Sequence, residues 1–343
     1  MRVLAGDIGG TKTLLAVADV DDGRVRIRHQ CRYESRSYSG FAPMLADFLQ
    51  PARHIDPIDL RGGCLGVAGP VYGAPPRQRA DVTNLPWSVD AAALAAAHGL
   101  PRLDLLNDFE AIAHALPALE DSELCVLQTG EADASGALAV VGAGTGLGMA
   151  LVDRRAEVFT VRPTEGGHAG FAPGDAEQSA LWSFVQNRRG RVSIEHLLSG
   201  NGLLEITAFL LERSAGSPSA TLGAALASAD PPAAITAAAL SGAEPLADAA
   251  LDLFVRIYGA VAGDLALLSL PRGGLYIAGG IAPRILPRLQ SGGFMAAFLD
   301  KAPMQALLRS IPVRVVLNPE AGLIGAARVA AAQAHDQASS AER

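Results

Sequence analysis

The chain has 343 residues, half of them hydrophobic, and a formal net charge of −7. That length exceeds a single small core and predicts two domains with a substantial buried interior. Mild acidity without clustered Lys or Arg argues against a nucleic-acid partner, which needs a cationic surface.

In chain order, residues 3–7 and 14–20 read as apolar strands, residues 25–31 as a third strand and residues 41–49 as a short helix. The first two strands flank Gly6-Asp7-Ile8-Gly9-Gly10-Thr11, an acidic, double-glycine turn. This predicts a phosphate cradle. Gly9 and Gly10 allow dihedrals closed to other residues, so that successive N–H groups and the Thr11 hydroxyl converge on anion oxygens. Asp7 supplies a carboxylate of the kind that holds Mg²⁺, directly or through water. The turn is not a P-loop, because Lys12 follows Thr11 and residues 13–20 favour a hairpin over a helix. Taken alone, the turn also reads as an ordinary tight hairpin with a chance aspartate.

Residues 63–68 read as a buried strand and residues 83–87 as a turn, with Ser88 placed to cap a helix over residues 90–98. A strand over residues 102–106 runs into Asn107-Asp108, after which Phe109, Ile112, Ala113 and Leu116 share a helical face. Asp108 is the candidate general base, since a carboxylate at a strand's rim can take the proton of a hydroxyl attacking a phosphoryl group. Its alternative role is to cap the helix that starts at Phe109, and the two roles are compatible.

Residues 138–141 and 148–152 form a second strand–turn–strand around Gly142-Ala143-Gly144-Thr145-Gly146-Leu147-Gly148. Leu147 stands where a dinucleotide fingerprint needs its third glycine, so that pattern fails. The uncharged run over residues 136–152 reads as two strands about a turn rather than a spanning helix. The repeated device predicts two lobes, each offering a phosphate hairpin to a shared cleft. Residues 215–245 read as outer helix and loop, residues 251–270 as a long helix, and residues 275–278 as a strand ending at Gly279-Gly280. Pro283 is placed to begin a helix, residues 322–332 form the last one, and the tail from Gln333 is expected to fray.

Cys31, Cys64 and Cys125 stand apart with no C-x-x-C pair, which argues against a structural zinc site and a disulfide framework. The opening Met-Arg-Val-Leu-Ala-Gly-Asp has no apolar signal core, so no secretory leader is expected.

Together these segments resemble the bacterial glucokinase family, within the superfamily of actin-like ATPases, hexokinases and sugar kinases. The resemblance rests on the two glycine turns, Leu106-Asn107-Asp108-Phe109, Glu165-Gly166-Gly167-His168, Ser193-Ile194-Glu195, Leu198-Ser199-Gly200 and Ala278-Gly279-Gly280. It implies an α/β, two-lobed actin-like ATPase (ribonuclease H-like) fold, each lobe a mixed sheet flanked by helices, with a cleft between them. It further implies a small domain of residues 1–117 plus 318–343, onto which the last helix packs back, and a large domain of residues 118–317. The implied activity is ATP- and Mg²⁺-dependent phosphorylation of glucose at its 6-hydroxyl, by a cytoplasmic homodimer.

By the same resemblance, Asn107, Asp108, Glu165, His168 and Glu195 form the sugar's shell; hexose hydroxyls both donate and accept, so amide, carboxylate and imidazole groups suit them. Gly6, Asp7, Ile8, Gly9, Gly10 and Thr11 would meet the nucleotide from one lobe and Gly144, Thr145 and Gly146 its β- and γ-phosphates from the other. Gly279 and Gly280 would let adenosine pass close to the backbone. Plainer roles exist: Glu195 as a solvated helix acid, His168 as a packed loop histidine, Gly279-Gly280 as a strand-to-helix junction. A histidine matching His168 ligates zinc in related kinases, but the cysteine cluster for such a site is missing, so sugar contact and no zinc is expected. Lys12 stands where the family often has asparagine.

Three rivals are weighed. A kinase of fructose, mannose or an N-acetyl-hexosamine would share the aspartate and the turns. A sugar-sensing transcription regulator would need a DNA-reading helix pair, for which a turn within the first ten residues is expected to leave no room. A nucleotide switch without a sugar acceptor is disfavoured by Asn107-Asp108 with Glu165 and His168. ATP is the default donor, with ADP or polyphosphate as alternatives.

Overall fold

The computed structural model describes residues 1–50, 60–155, 158–214 and 216–341. The chain divides into two compact units, Met1–Asp121 with Asn318–Arg343, and Ser122–Leu317. The first holds β1 (Arg2–Ile8), β2 (Lys12–Asp21), β3 (Arg24–Glu34), α1 (Phe41–Phe48), β4 (Gly63–Val67), β5 (Val71–Tyr72), β6 (Arg79–Asp81), β7 (Ser88–Asp90), α2 (Ala91–His98), β8 (Leu103–Asn107) and α3 (Asp108–Ala115). The second holds β9 (Leu124–Gln128), β10 (Leu138–Ala143), β11 (Leu147–Arg155), β12 (Val158–Thr164), α4 (Ala176–Arg189), α5 (Gly200–Arg213), α6 (Ala220–Leu226), α7 (Pro231–Leu240), α8 (Pro245–Ser269), β13 (Gly274–Ala278), α9 (Leu286–Gln290), α10 (Gly293–Leu299), α11 (Gln305–Ser310) and β14 (Val313–Val316). The last helix, α12 (Ala321–Ala341), returns to the first unit.

One topology serves both units. In the first, the sheet order is β3-β2-β1-β4-β8, an antiparallel hairpin joined to two parallel strands. In the second, β12-β11-β10-β13-β14 repeats that order and β9 adds an antiparallel edge. A small antiparallel sheet, β5-β6-β7, completes the first unit.

Alternation along β1 and β2 decides what each face meets. Val3, Ala5, Leu14 and Ala16 pack with Leu323, Ala326, Ala327 and Ala330 of α12. Leu4, Ile8, Leu15 and Val17 pack on the other face with Phe41, Met44, Leu45 and Phe48 of α1. The small residues of α12 let it approach α3 closely, and a Cβ on Gly325 would collide with the Ala111 carbonyl oxygen. Gly325→Ala is therefore expected to cost about 1–3 kcal/mol through overpacking, read as a lower urea midpoint at unchanged m-value.

Several local expectations change. Ser88 opens β7, and Asp90 caps α2 by accepting from the Ala93 N–H at 3.0 Å. Pro283 lies in a turn; Pro287 instead occupies the first turn of α9. The long helix α8 begins earlier than residue 251, at Pro245 behind the Glu244 cap, and ends where Leu270 turns left-handed. α12 runs on through Gln333 to Ala341, since no Gly or Pro stops it after Gly325. Ala215, where the outer helix-and-loop stretch was placed to begin, and the last two tail residues lie outside the described residues. Residues 138–155 form a hairpin, and among the described residues no helix is long and apolar enough to cross a membrane.

Candidate active site

In the first unit the relevant edge is the carboxyl end of three parallel strands. Registers align Asp7 with Gly66 and Gly66 with Leu106, then Ile8 with Val67 and Val67 with Asn107. Ligands of α/β sheets gather at such an edge because the chain leaves each strand there with its N–H groups unspent. The β1–β2 turn is closed by the Gly9 N–H donating to the Lys12 carbonyl at 3.0 Å. Neither Gly9 nor Gly10 is left-handed, so the expected dihedral role does not hold. Space requires them instead: a Cβ on Gly10 would sit 2.8 Å from the Thr83 carbonyl oxygen and one on Gly9 2.9 Å from that of Lys12.

A buried pair braces this turn from beneath. The Ser35 hydroxyl donates to the Gly9 carbonyl at 2.7 Å, shares a 3.0 Å hydrogen bond with Thr13, and the Ser35 N–H donates to the Thr11 carbonyl at 2.9 Å. Thr11 itself is exposed. Burial raises the Asp7 carboxyl above its ordinary range, and the nearby Lys12 charge partly offsets that. Asp7 also faces the start of α12, where a Cβ on Gly322 would lie 3.4 Å from its carboxyl carbon.

Asn107, not Asp108, caps α3. Its Oδ1 accepts from the Phe109 N–H at 2.9 Å and the Glu110 N–H at 3.4 Å, while Glu110 accepts the Asn107 N–H at 3.3 Å in a capping box. The amide oxygen is thereby committed to the helix, and Nδ2 reaches the Gly69 carbonyl at 3.4 Å. Asp108 stands one position on, partly exposed, with Oδ1 accepting from Phe109 N–H at 2.9 Å. At the first position of a helix the aligned peptide dipoles favour its ionised form. Burial raises the Glu110 carboxyl above its ordinary range, and its side chain is committed to the capping box.

β8 is an edge strand, and Gln78 covers it. Its side-chain amide donates to the Leu105 carbonyl at 2.8 Å and accepts from the Leu105 N–H at 3.0 Å. One glutamine thus stands in for a neighbouring strand just before Asn107 and Asp108.

In the second unit the hairpin turn between β10 and β11 carries Gly144, Thr145 and Gly146. Thr145 is exposed and a Cβ on Gly144 would meet nothing within 4 Å, so the turn is open at Gly144, whereas a Cβ on Gly146 would sit 2.5 Å from Glu195 Oε2. Gly144→Val is accordingly expected to leave the fold intact but to weaken binding of a non-hydrolysable ATP analogue about tenfold or more, measured by calorimetry. A Cβ on Gly280 likewise meets nothing, whereas Gly279, at φ +82°, is held against the Ala143 carbonyl.

Glu165, His168 and Glu195 come together in this unit. His168 Nε2 lies 3.9 Å from Glu165 Oε2, and its Nδ1 lies 3.9 Å from Glu195 Oε1. Glu165 and His168 are exposed, while Glu195 is mostly buried. The glycines between Glu165 and His168 are required for packing rather than freedom, since a Cβ on Gly167 would collide with the Leu147 carbonyl. Glu195 also reaches the glycine turn: its Oε2 accepts the Leu147 N–H at 2.8 Å. Ser199 caps α5, donates to the Glu195 carbonyl at 2.8 Å, and the Gly200 N–H donates to the Gly144 carbonyl at 2.9 Å. The carboxylates and imidazole therefore share one frame with the turn.

Sequence reasoning missed Ser35 and Gln78. Each acts on an element far from it in the chain, and only strand register reveals the pairing.

A glucokinase family model matches residues 4–333. The glucokinase of Nostoc punctiforme is 39% identical, covering 96% of this chain and 98% of that protein. The glucokinase of Synechocystis is 40% identical over the same shares. A crystal structure of glucokinase from an Antarctic psychrotroph superposes with a TM-score of 0.80 at 30% identity, covering 96% of this chain and 99% of that one. A glucokinase from Balamuthia mandrillaris, solved in complex with glucose, shares the fold at TM-score 0.81 and 22% identity, covering 96% and 93% of the two chains.

Proposed function

The chain belongs to the glucokinase family, and from that premise we propose that it transfers the γ-phosphoryl group of ATP to the 6-hydroxyl of glucose. The observation that carries this reading is Asp108, a carboxylate at the head of α3 on the carboxyl edge of parallel strands, a short step from the Asp7 turn. The attacking hydroxyl must shed its proton as the new O–P bond forms, and Asp108 accepts it.

Glu165, His168 and Glu195, with the Nδ2 group of Asn107, bind the sugar hydroxyls. Their mixture of acceptors and donors fixes which hydroxyl is left to react. The Gly10–Thr11 and Thr145–Gly146 segments of the two turns offer N–H groups and threonine hydroxyls to phosphate oxygens, and Gly279-Gly280 leaves backbone open for adenosine. Donors fixed before charge develops on a transferring group stabilise its transition state most.

Asp7 fits a magnesium ion carried in by the nucleotide. Mg²⁺ takes one or two carboxylates together with phosphate oxygens and water, and among the described residues no group of three acidic, His or Cys side chains forms a dedicated cage. When bound, the ion neutralises charge on the phosphate oxygens. Family membership also supports action in the cytoplasm as a homodimer, and light scattering at a monomer's mass would remove the dimer.

The test is a coupled assay of glucose, fructose, mannose and N-acetylglucosamine with ATP, ADP or polyphosphate and MgCl₂. Glucose with ATP should give the highest kcat/KM. Another hexose preferred by tenfold or more would replace the substrate assignment.

A further inference from the structure

Tyr258 is fully buried on α8, between the rings of Phe254 and Phe294, yet it carries a hydroxyl into the β-sheet. The oxygen lies 3.1 Å from the Ala143 N–H, 3.4 Å from the Val141 carbonyl and 3.5 Å from the Ala278 carbonyl. Those three groups belong to the last residues of β10 and β13, immediately before Gly144 and Gly279.

The hydroxyl joins the two strand ends. β10 and β13 stay in register up to Gly142 opposite Ala278. There the Tyr258 oxygen accepts from the Ala143 N–H and reaches the Val141 and Ala278 carbonyls, so one phenol touches both strands. Beyond it the chain turns at left-handed Gly279, and the Ala143 carbonyl is met by the Ile281 N–H at 3.2 Å. Burial pushes the phenol pKa well up, so the group remains a neutral donor and acceptor.

We infer that Tyr258 is a positioning residue of the nucleotide site: its hydroxyl ties the end of β10 to the end of β13 and so sets how the Gly144–Gly146 turn and the Gly279-Gly280 loop stand to each other. The inference rests on the reading of those two segments as the phosphate and adenosine contacts. It predicts a lesion confined to nucleotide binding. Tyr258→Phe keeps the ring and its neighbours but removes the buried hydroxyl that the Ala143 N–H and the two carbonyls share, and that loss is met by a shift of the turn.

The experiment is calorimetric titration of a non-hydrolysable ATP analogue with MgCl₂, and separately of glucose, into four full-length proteins: wild type, Tyr258→Phe, Gly144→Val and Ile235→Ala. Ile235 is buried in the same core on α7, so its truncation lowers stability without touching the strand ends. Tyr258→Phe should weaken the nucleotide analogue about tenfold and leave glucose affinity within about twofold, with Ile235→Ala changing neither. Amide exchange at Ala143 should accelerate in Tyr258→Phe alone. If Gly144→Val weakens the analogue while Tyr258→Phe stays within twofold of wild type, the positioning role of the hydroxyl is wrong and the nucleotide-site reading stands. Equal losses in Tyr258→Phe and Ile235→Ala would also overturn it, as general loosening. If wild type does not bind the analogue, or Gly144→Val has no effect, the nucleotide-site reading itself fails and takes this inference with it.

Discussion

Replacing Asp108 with asparagine is expected to lower kcat at least about 100-fold while glucose affinity stays within about twofold of wild type. Asparagine keeps the size of the side chain, and the α3 cap survives because Asn107 and Glu110 form it. What disappears, on the proposed mechanism, is the group that takes the hydroxyl's proton, an interaction that matters only as the new bond forms. Such a change lowers kcat and kcat/KM together. Single-turnover rates and direct glucose titration separate the two quantities. Turnover near wild type would remove Asp108 from the chemistry, and an equal loss of glucose affinity would make it a binding residue.

Glu195→Ala is the second large effect, and it should reach both substrates. One carboxylate oxygen lies beside His168 and the other accepts the Leu147 N–H at the end of the glycine turn. On the proposed reading, truncation removes a charge-assisted hydrogen bond to the sugar, worth about 1.5–3 kcal/mol, and it leaves the Leu147 N–H unpartnered at about 1–3 kcal/mol. Glucose affinity should fall about 10- to 100-fold, and the KM for ATP should rise several-fold because the turn loses its brace. Glu165→Gln, with no tie to the turn, should weaken sugar binding and leave the ATP KM unchanged. Calorimetry with each ligand alone checks both. An effect of Glu195→Ala on sugar only would mean that the turn does not depend on this carboxylate.

How much could be read before the coordinates follows from where each signal resides. The strand–turn–strand devices were legible because hydrophobic alternation and glycine pairs are local; residues 3–7 and 14–20 lie inside β1 and β2, and residues 138–141 and 148–152 inside β10 and β11. Six strands went unread: β5, β6, β7, β9, β12 and β14. The first three are only two or three residues long, and β9 pairs with β14 across most of the second unit's sequence. Caps were misplaced by one or two residues, with Asn107 and Asp90 serving where Asp108 and Ser88 had been considered, because several acids and amides in a row are equally good acceptors.

The glycines were found for one reason and needed for another. Gly9, Gly10 and Gly167 are demanded by backbone close beside them, which no dihedral argument exposes. Glu165, His168 and Glu195 could be grouped in advance only through family resemblance; in the structure a single frame of Ser199, Gly200 and the turn explains why they stand together. Ser35, Gln78 and Tyr258 carry no motif at all. A hydroxyl that bridges the ends of two strands looks, in the sequence, like any aromatic core position.

The most direct measurement is the initial rate of glucose 6-phosphate formation as glucose is titrated against fixed ATP and MgCl₂, with ATP consumption followed in parallel. The account predicts saturation with glucose, one ATP consumed per glucose 6-phosphate formed, and a small fraction of that ATP turnover when sugar is omitted. ATP turnover independent of glucose, or no sugar phosphate at saturating glucose, would contradict it.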